Sequence, residues 1–272
     1  LINLEYFFIN LKMEKNNMES IAAVILAAGK GTRMNEGSSS PIPKVMFEIN
    51  SVPMIRYSVK NIEDAGVKKI VLVVGYKQEL VRNYFGDEVE YAVQEEQLGT
   101  GHAAAMSKVV LEDKCEVVLV CYGDMPLFQP ATISRLIKLF MDRKPTIAML
   151  TVDFENPEFW VYGRIIRDET GNVRAIVEQK DCTPEQLKIK ESNPGFYIFD
   201  SKWFYKNCHK LKDENAQREF YLTDMIGLAT SQDKEILAAK VKYEWEALGI
   251  NSPVQLKEVE KILQSKSVSA KI

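Results

Sequence analysis

Continuous apolar runs alternate with amphipathic stretches through the first half of the chain. A run without a polar face is typical of a strand that is buried on both sides, as in the centre of a parallel sheet. The amphipathic stretches carry apolar residues three and four positions apart, which is the spacing of a helix. We predict strands at 21–28, 68–76, 90–94, 115–122 and 146–154, and helices at 53–65, 77–85, 102–111 and 130–143.

The pattern changes from Asn156 onward. Two short apolar runs, 163–168 and 173–181, surround Gly171-Asn172 and predict a β-hairpin. The remaining predicted elements are strands at 191–200 and 235–243 and helices at 201–211, 218–231 and 252–266. This order predicts an α/β fold with a Rossmann-like mixed, mostly parallel central sheet flanked by helices.

We assign residues 18–265 to one domain with two halves, about 18–154 and about 155–265. Residues 1–17 have neither a basic n-region nor a small-residue cleavage site, so we expect a disordered extension rather than a signal peptide. Residues 266–272 are predicted to be a tail.

Composition excludes several classes of protein. With 272 residues, 46% of them hydrophobic, the chain can bury a large core. A net charge of −3 offers no basic field, so we predict no nucleic-acid partner. No apolar run reaches the roughly 18 residues that crossing a bilayer requires, so we predict no membrane partner. The four cysteines, Cys115, Cys121, Cys182 and Cys208, lack metal-ligand spacing and indicate free thiols in a reducing, cytoplasmic setting.

A glycine-rich turn follows the first strand. Gly29 and Gly31 let the backbone turn sharply and approach a ligand closely. The exposed N–H groups, with Arg33 and Lys44 nearby, would form a cradle for a triphosphate. The turn matches neither the dinucleotide pattern G-x-G-x-x-G nor the P-loop pattern. Taken alone, it leaves open a surface loop after a core strand.

Two further stretches place polar groups at the ends of elements. Gly99 and Gly101 flank Thr100 just before a predicted helix, where backbone N–H groups can point at a ligand. Asp124 follows the strand 115–122, at the carboxyl end where open α/β sheets bind their ligands. His102 and His209 form no catalytic arrangement with Ser, Cys or Asp, and we interpret both as structural.

The segment LAAGKGTRM, followed by Pro43-Lys44, resembles the nucleotide-binding signature of the sugar-phosphate nucleotidyltransferases. From about Ile21 to about Leu263, the chain most resembles the uridylyltransferase domain of bacterial N-acetylglucosamine-1-phosphate uridylyltransferases. The resemblance implies the nucleotide-diphospho-sugar transferase fold, with a nucleotide-binding first half and a sugar-binding second half. It also implies UTP and N-acetylglucosamine 1-phosphate as substrates. The chain shows no hexapeptide repeat, so we expect no acetyltransferase activity.

The same resemblance implies the site residues. Arg33 and Lys44 would be catalytic, and Asp124 and Asn251 would bind Mg²⁺. The implied nucleotide-binding residues are Leu26, Ala27, Ala28, Gly29, Gly31, Gln94, Gly99, Thr100 and Tyr122, with Gln94 reading uracil. The implied sugar-binding residues are Gly163, Glu178, Asn193, Tyr221 and Thr223.

Plainer interpretations stay open for these residues. Arg33 and Lys44 would otherwise be solvated cations, Asp124 a strand-end residue, Asn251 a cap and Gln94 an outward strand residue. The spacer from Arg33 to Lys44 is about four residues longer than in the resembled family, which predicts a loosely ordered loop. Pro194 stands where the family has Thr, and it removes a backbone donor.

Two rival functions follow. One is a nucleotidyltransferase for another sugar 1-phosphate, such as glucose 1-phosphate, or for another nucleotide. The other is a nucleotide-sugar sensor that keeps the fold without catalysis, and the joint presence of Arg33, Lys44, Asp124 and Asn251 argues against it.

Overall fold

Strands and helices alternate along the chain, and short strands cluster in the second half. The computed structural model describes residues 18–269, with side chains through residue 265. In chain order the strands are β1 (Ile21–Leu26), β2 (Glu48–Ile49), β3 (Val52–Pro53), β4 (Lys69–Val74), β5 (Glu90–Val93), β6 (Val117–Tyr122), β7 (Ile147–Asp153), β8 (Gly163–Arg167), β9 (Val173–Val177), β10 (Glu191–Asn193), β11 (Phe196–Asp200) and β12 (Ile236–Lys240). The helices are α1 (Met54–Asp64), α2 (Gln78–Phe85), α3 (Thr100–Met106), α4 (Lys108–Leu111), α5 (Pro130–Arg143), α6 (Pro157–Trp160), α7 (Pro184–Leu187), α8 (Ser201–Asn207), α9 (Asp224–Ser231) and α10 (Pro253–Ser269).

The strands with continuous apolar runs form a parallel core. The main sheet has the order β5-β4-β1-β6-β11-β7-β10-β8-β9, with β12 pairing to β7. Strands β5, β4, β1 and β6 run parallel to one another. Every residue of β1 is buried, because helices cover both faces of a parallel sheet. The predicted mixed sheet with a parallel core is confirmed.

The second half of the chain extends this sheet with antiparallel strands. β11 runs antiparallel between β6 and β7, and β10, β8 and β9 continue the antiparallel pairing. β7, which the alternation of elements placed in the parallel series, is therefore separated from β6 by a strand from later in the sequence. β12 adds a parallel neighbour to β7.

The strand register brings loops together at one edge of the sheet. Leu26, the last residue of β1, pairs with Val73 of β4 and with Tyr122 of β6. The loops that follow these three strands therefore begin side by side. This edge is where open α/β sheets bind ligands.

Three predicted elements are interrupted for identifiable reasons. The helix at 102–111 is two helices, α3 and α4, that meet at Ser107, whose hydroxyl bonds Ala104 O at 2.6 Å and Tyr205 OH at 2.9 Å instead of solvent. The strand at 191–200 breaks at Pro194-Gly195, because proline cannot donate to the ladder and Gly195 has φ +77°. The helix at 201–211 ends at Asn207 and continues as a short 3₁₀ turn.

The predicted helix at 218–231 begins only at Asp224. The preceding backbone bonds to the loop before α3 instead: Phe220 N donates to Leu98 O at 2.8 Å, and Gly101 N donates to Phe220 O at 2.7 Å. Helical geometry would remove these bonds. This pairing holds the segment with Tyr221 and Thr223 against the Gly99 loop.

The sequence also led to predictions for the ends of the chain and for its cysteine thiols. The extension predicted at 1–17 lies outside the described residues, and the predicted tail begins late, because α10 continues to Ser269. All four cysteines are free. Among residues 18–269, no helix has both the length and the apolar character that crossing a bilayer demands.

Candidate active site

The glycine-rich turn after β1 is shaped to bring Lys44 inward. Gly31 has φ +63°, and a Cβ on Gly31 would lie 2.7 Å from Lys44 Cβ. Any other residue would therefore combine an unfavourable backbone conformation with a steric clash. Lys44 N also donates to Gly29 O at 3.4 Å. The absence of a side chain at Gly31 thus leaves room for Lys44.

The long spacer between Arg33 and Lys44 is closed at its base by Asn35. Asn35 Nδ2 donates to Gly31 O at 3.0 Å and to Ile42 O at 2.8 Å, while Asn35 Oδ1 accepts from Ile42 N at 2.9 Å. Lys77 Nζ donates to Pro41 O at 2.7 Å and ties the loop to the start of α2. We expected this spacer to be loosely ordered. Instead, the side chain of Asn35 joins the two ends of the spacer by hydrogen bonds.

Lys44, Asp124 and Asn251 meet at the carboxyl edge of the sheet. Lys44 Nζ donates to Asp124 Oδ2 and, at 2.8 Å, to Asn251 Oδ1. Asp124 follows β6 and is buried, with 8% of its surface exposed. Ile250 N donates to Asp124 O at 3.0 Å, which positions Asn251 beside the carboxylate. Three residues distant in sequence thus form one polar cluster.

The donor set of this cluster fits Mg²⁺. A carboxylate oxygen and an amide oxygen converge on one point that already attracts a positive charge. Mg²⁺ takes oxygen ligands in octahedral geometry, commonly one or two from protein and the rest from phosphates and water. Residues 18–265 contain no group of three or more His, Cys, Asp or Glu side chains arranged to hold a metal. A cation here would depend on Asp124, Asn251 and a bound phosphate.

Arg33 is not part of this cluster. Its side chain is exposed, and it lines neither of the clefts described below. Arg33 lies in the turn that precedes Asn35, and its side chain faces solvent. The structure therefore brings Lys44 and Asp124 together but leaves the second predicted catalytic cation apart.

One cleft opens beside Gln94 and is called here the Gln94 cleft. It has a volume of about 260 Å³. Its lining residues are Leu26, Ala28, Gly29, Lys44, Val45, Gln94, Gln97, Gly99, Thr100, Ala103, Tyr122, Asp124 and Glu219. Of the predicted nucleotide-binding residues, only Ala27 and Gly31 do not line it. Ala27 is buried, and its N–H donates to Val73 O at 2.9 Å.

Gln97 lines the Gln94 cleft and was not predicted. Its Nε2 donates to Ala28 O at 2.8 Å, which joins the loop after β5 to the loop after β1. Gln94 is buried and donates from Nε2 to Gly99 O at 3.0 Å, while Nε2 also lies 3.1 Å from His102 Nδ1. The sequence signal for Gln97 was its place in the same polar stretch as Gln94.

A second cleft opens beside Glu178 and is called here the Glu178 cleft. It has a volume of about 230 Å³. Its lining residues are Lys44, Thr100, Tyr122, Asp124, Met125, Val161, Tyr162, Gly163, Glu178, Asn193 and Asn251. Lys44, Thr100, Tyr122 and Asp124 line both clefts, so the two cavities meet at the polar cluster.

Hydrogen bonds hold the polar wall of the Glu178 cleft. Thr223 Oγ1 donates to Glu178 Oε1 at 3.1 Å, so Thr223 supports this cleft without lining it. Tyr221, two residues before Thr223 in the chain, is buried and also does not line the cleft. Burial raises the pKa of the Glu178 carboxyl, against the lowering effect of the Thr223 hydrogen bond. Asn193 Oδ1 accepts from Gly195 N at 3.1 Å, which fixes the Asn193 side chain beside Pro194.

Val161 and Tyr162 line the Glu178 cleft and were also not predicted. Tyr162 OH donates to Ala247 O at 3.0 Å and accepts from Gly249 N at 2.7 Å. Val161 has φ +60°, a conformation that β-branched residues rarely adopt. No pattern in the sequence marks a valine for that conformation, and the tertiary contacts on either side of it impose it.

Comparison with known proteins identifies relatives along most of the chain. A family model described as Nucleotidyl transferase matches residues 22–258. The bifunctional protein GlmU of Acetivibrio thermocellus is 41% identical over 249 residues, which are 92% of this chain and 53% of that protein. The bifunctional protein GlmU of Geotalea daltonii is 39% identical over 249 residues, 91% of this chain and 53% of that protein. The chain thus spans about half the length of these curated relatives.

Solved structures of low sequence identity share the fold. A UDP-glucose pyrophosphorylase complexed with UDP-glucose aligns with a TM-score of 0.73 and 19% identity, over 90% of this chain and 98% of that one. An apo UDP-glucose pyrophosphorylase aligns with a TM-score of 0.76 and 18% identity, over 91% and 99%. At this identity the likeness establishes the architecture alone.

Proposed function

The chain belongs to the nucleotidyl transferase family, and from this premise we propose that it transfers UMP from UTP to N-acetylglucosamine 1-phosphate. The products would be UDP-N-acetylglucosamine and pyrophosphate. The observation that carries this proposal is the contact of Lys44 with both Asp124 and Asn251 where the Gln94 and Glu178 clefts meet. The identity of about 40% with proteins named GlmU supports the choice of reaction.

In this proposal the Gln94 cleft holds the nucleotide and the Glu178 cleft holds the sugar. The first half of the domain, about 18–154, would bind UTP, and the second, about 155–265, the sugar. Two phosphorylated substrates would then place their phosphates over Lys44. Binding in this orientation removes much of the entropic barrier to a reaction between two anions.

The chemistry requires little of the protein beyond position and charge. A phosphate oxygen of the sugar phosphate forms a bond to the α-phosphorus of UTP, and the bond from that phosphorus to the bridging oxygen breaks as pyrophosphate leaves. The attacking phosphate is already ionised at neutral pH, so no general base is needed. Lys44 would stabilise the negative charge that develops on the transferred phosphoryl group.

Asp124 and Asn251 would hold Mg²⁺, which supplies charge neutralisation to the phosphates when it is bound. Lys44 would then turn from these two oxygens toward the phosphates. Arg33, which is exposed, would meet the triphosphate from the solvent side. We place the reaction in the cytoplasm, where free thiols stay reduced.

A substrate panel tests this assignment. Pyrophosphate release is measured with the full chain, Mg²⁺, four nucleoside triphosphates and three sugar 1-phosphates: N-acetylglucosamine, glucosamine and glucose 1-phosphate. We expect the highest kcat/KM with UTP and N-acetylglucosamine 1-phosphate, and loss of turnover with a chelator. A preference for glucose 1-phosphate or for CTP would overturn the substrate assignment. Tight UDP-sugar binding without turnover would identify a sensor instead.

A further inference from the structure

We propose that His102 is a positioning residue that orients the side-chain amide of Gln94 and thereby selects uracil over cytosine. The proposal rests on the proposed function, because it concerns the base of the nucleotide in the Gln94 cleft. His102 does not line that cleft. It acts through a buried neighbour, and the sequence indicated only a structural role for it.

The orientation of the Gln94 amide follows from its partners. The atom 3.0 Å from Gly99 O must be the NH₂ group, because a carbonyl oxygen only accepts hydrogen bonds. The same nitrogen lies 3.1 Å from His102 Nδ1. That contact is a hydrogen bond when Nδ1 accepts, which is the tautomer that carries its proton on Nε2.

Both N–H groups of Gln94 are therefore committed to protein partners. The polar atom that is left is Oε1, which can only accept, and residues 18–265 give it no hydrogen-bond partner. Because Gln94 lines the cleft and is only 3% exposed, this oxygen is the group that the side chain offers to a bound base.

An obligatory acceptor distinguishes the two pyrimidines. Uracil carries a proton on N3 and can donate to Oε1, whereas N3 of cytosine has no proton and would face an oxygen lone pair. A buried polar group left without its partner costs free energy, so a site built for an N–H rejects an analogue that lacks it. An amide can rotate by 180° about its last bond, and the rotated amide would offer NH₂ to cytosine. Gly99 O opposes this rotation, and His102 adds a second acceptor that only the NH₂ group can satisfy.

Two substitutions of His102 separate this role from simple packing. His102→Leu fills a similar space without an acceptor, whereas His102→Asn can place a carbonyl oxygen near the position of Nδ1. The measured quantity is the ratio of kcat/KM for UTP to that for CTP, with N-acetylglucosamine 1-phosphate as the second substrate. We expect His102→Leu to lower this ratio about tenfold or more and His102→Asn to retain most of it. The KM for the sugar phosphate should stay unchanged in both.

A double-variant cycle tests whether His102 acts through Gln94. In a Gln94→Leu background, His102→Leu should change the UTP:CTP ratio no further, because the amide that it orients is absent. An unchanged ratio in the single His102→Leu variant would overturn the proposal, and so would equal losses with UTP and CTP. If the unsubstituted protein itself shows no turnover with UTP, it is the proposed function that fails.

Discussion

The Gln94 cleft and the Glu178 cleft both include Lys44, but their other lining residues come mostly from different parts of the sheet. Most of the residues that line only the Gln94 cleft lie at or after the ends of the parallel strands β1 and β5, such as Ala28, whose carbonyl accepts from Gln97. Most of those that line only the Glu178 cleft lie in or beside antiparallel strands, where they are held by bonds such as Thr223 to Glu178.

This difference shows where each cleft obtains its shape. Parallel strands in register place their end loops side by side, so the Gln94 cleft follows from the sheet itself. The Glu178 cleft depends on pairwise side-chain contacts and on Val161 in an unfavourable backbone conformation. Local strain of this kind persists only where surrounding contacts impose it. The second cleft should therefore be the easier of the two to alter without loss of the fold.

The largest expected effect lies at the residue that the clefts share. Lys44→Ala should lower kcat by about 10² to 10³, the usual cost of removing one preorganised group that faces transition-state charge. Single-turnover and steady-state pyrophosphate release would measure it. Lys60→Ala is the matched control, because Lys60 pairs with Asp64 on the exposed surface of α1, away from both clefts. Near-normal turnover by Lys44→Ala would end the assignment of this cluster as the active site.

The second largest effect is expected at Gly31, beside the Gln94 cleft. Here the steric contact with Lys44 can be separated from the strain of a positive φ. Gly31→Ala should lower kcat about tenfold or more, because its Cβ would displace Lys44. Gly37→Ala is the control: Gly37 also has a positive φ, +76°, but a Cβ there has no neighbour within 4 Å. Both variants carry similar strain, so comparable activity in the two would contradict a role for Gly31 in placing Lys44.

A smaller effect is expected from Val161 on the Glu178 side. Val161→Ala and Val161→Gly both remove an apolar wall that is 42% exposed, and each should raise the KM for the sugar phosphate by roughly three- to tenfold. Only glycine also relieves the backbone strain, so Val161→Gly should melt about 2–4 °C above Val161→Ala.

Val254→Ala provides the control for Val161, since Val254 is a more exposed valine, at 59%, that lines neither cleft. Its KM values should match those of the unsubstituted protein. Equal melting temperatures for the two Val161 variants would show that the left-handed conformation carries no strain.

The smallest effect concerns the support behind the Glu178 cleft. Burial, and then the charge of Asp181, raises the pKa of Asp224 from 3.8 to about 6. Between these values the folded protein keeps a proton that the unfolded chain releases, so this residue lowers stability as the pH rises from about 4 to 6. Asp224→Asn should therefore melt higher than the unsubstituted protein at pH 7, with a smaller difference at pH 4. Thermal melts at both pH values would detect this, and a difference independent of pH would contradict it.

Much of the fold was predictable because it rests on local patterns. The continuous apolar runs predicted the parallel core, and the helical spacing predicted α1 and α5 almost to the residue. The predicted helix at 218–231 was wrong over residues 218–223, because Phe220 bonds to Leu98 and Gly101 across the structure. The neighbours of β7 did not follow from the order of elements, because β11, which separates β7 from β6, comes from later in the chain.

Residue types and their order in the sequence were enough to identify the family and to predict the parallel core. They also indicated which residues could carry charge or bind a cation that prefers oxygen ligands. These properties depend on spacing along the chain, which sequence records directly. Only the tertiary structure decided that Lys44 contacts Asp124 and Asn251, that Arg33 stays apart, and that His102 contacts Gln94. Those contacts join residues from distant elements, and packing and hydrogen-bond geometry, rather than local propensity, determine which of them form.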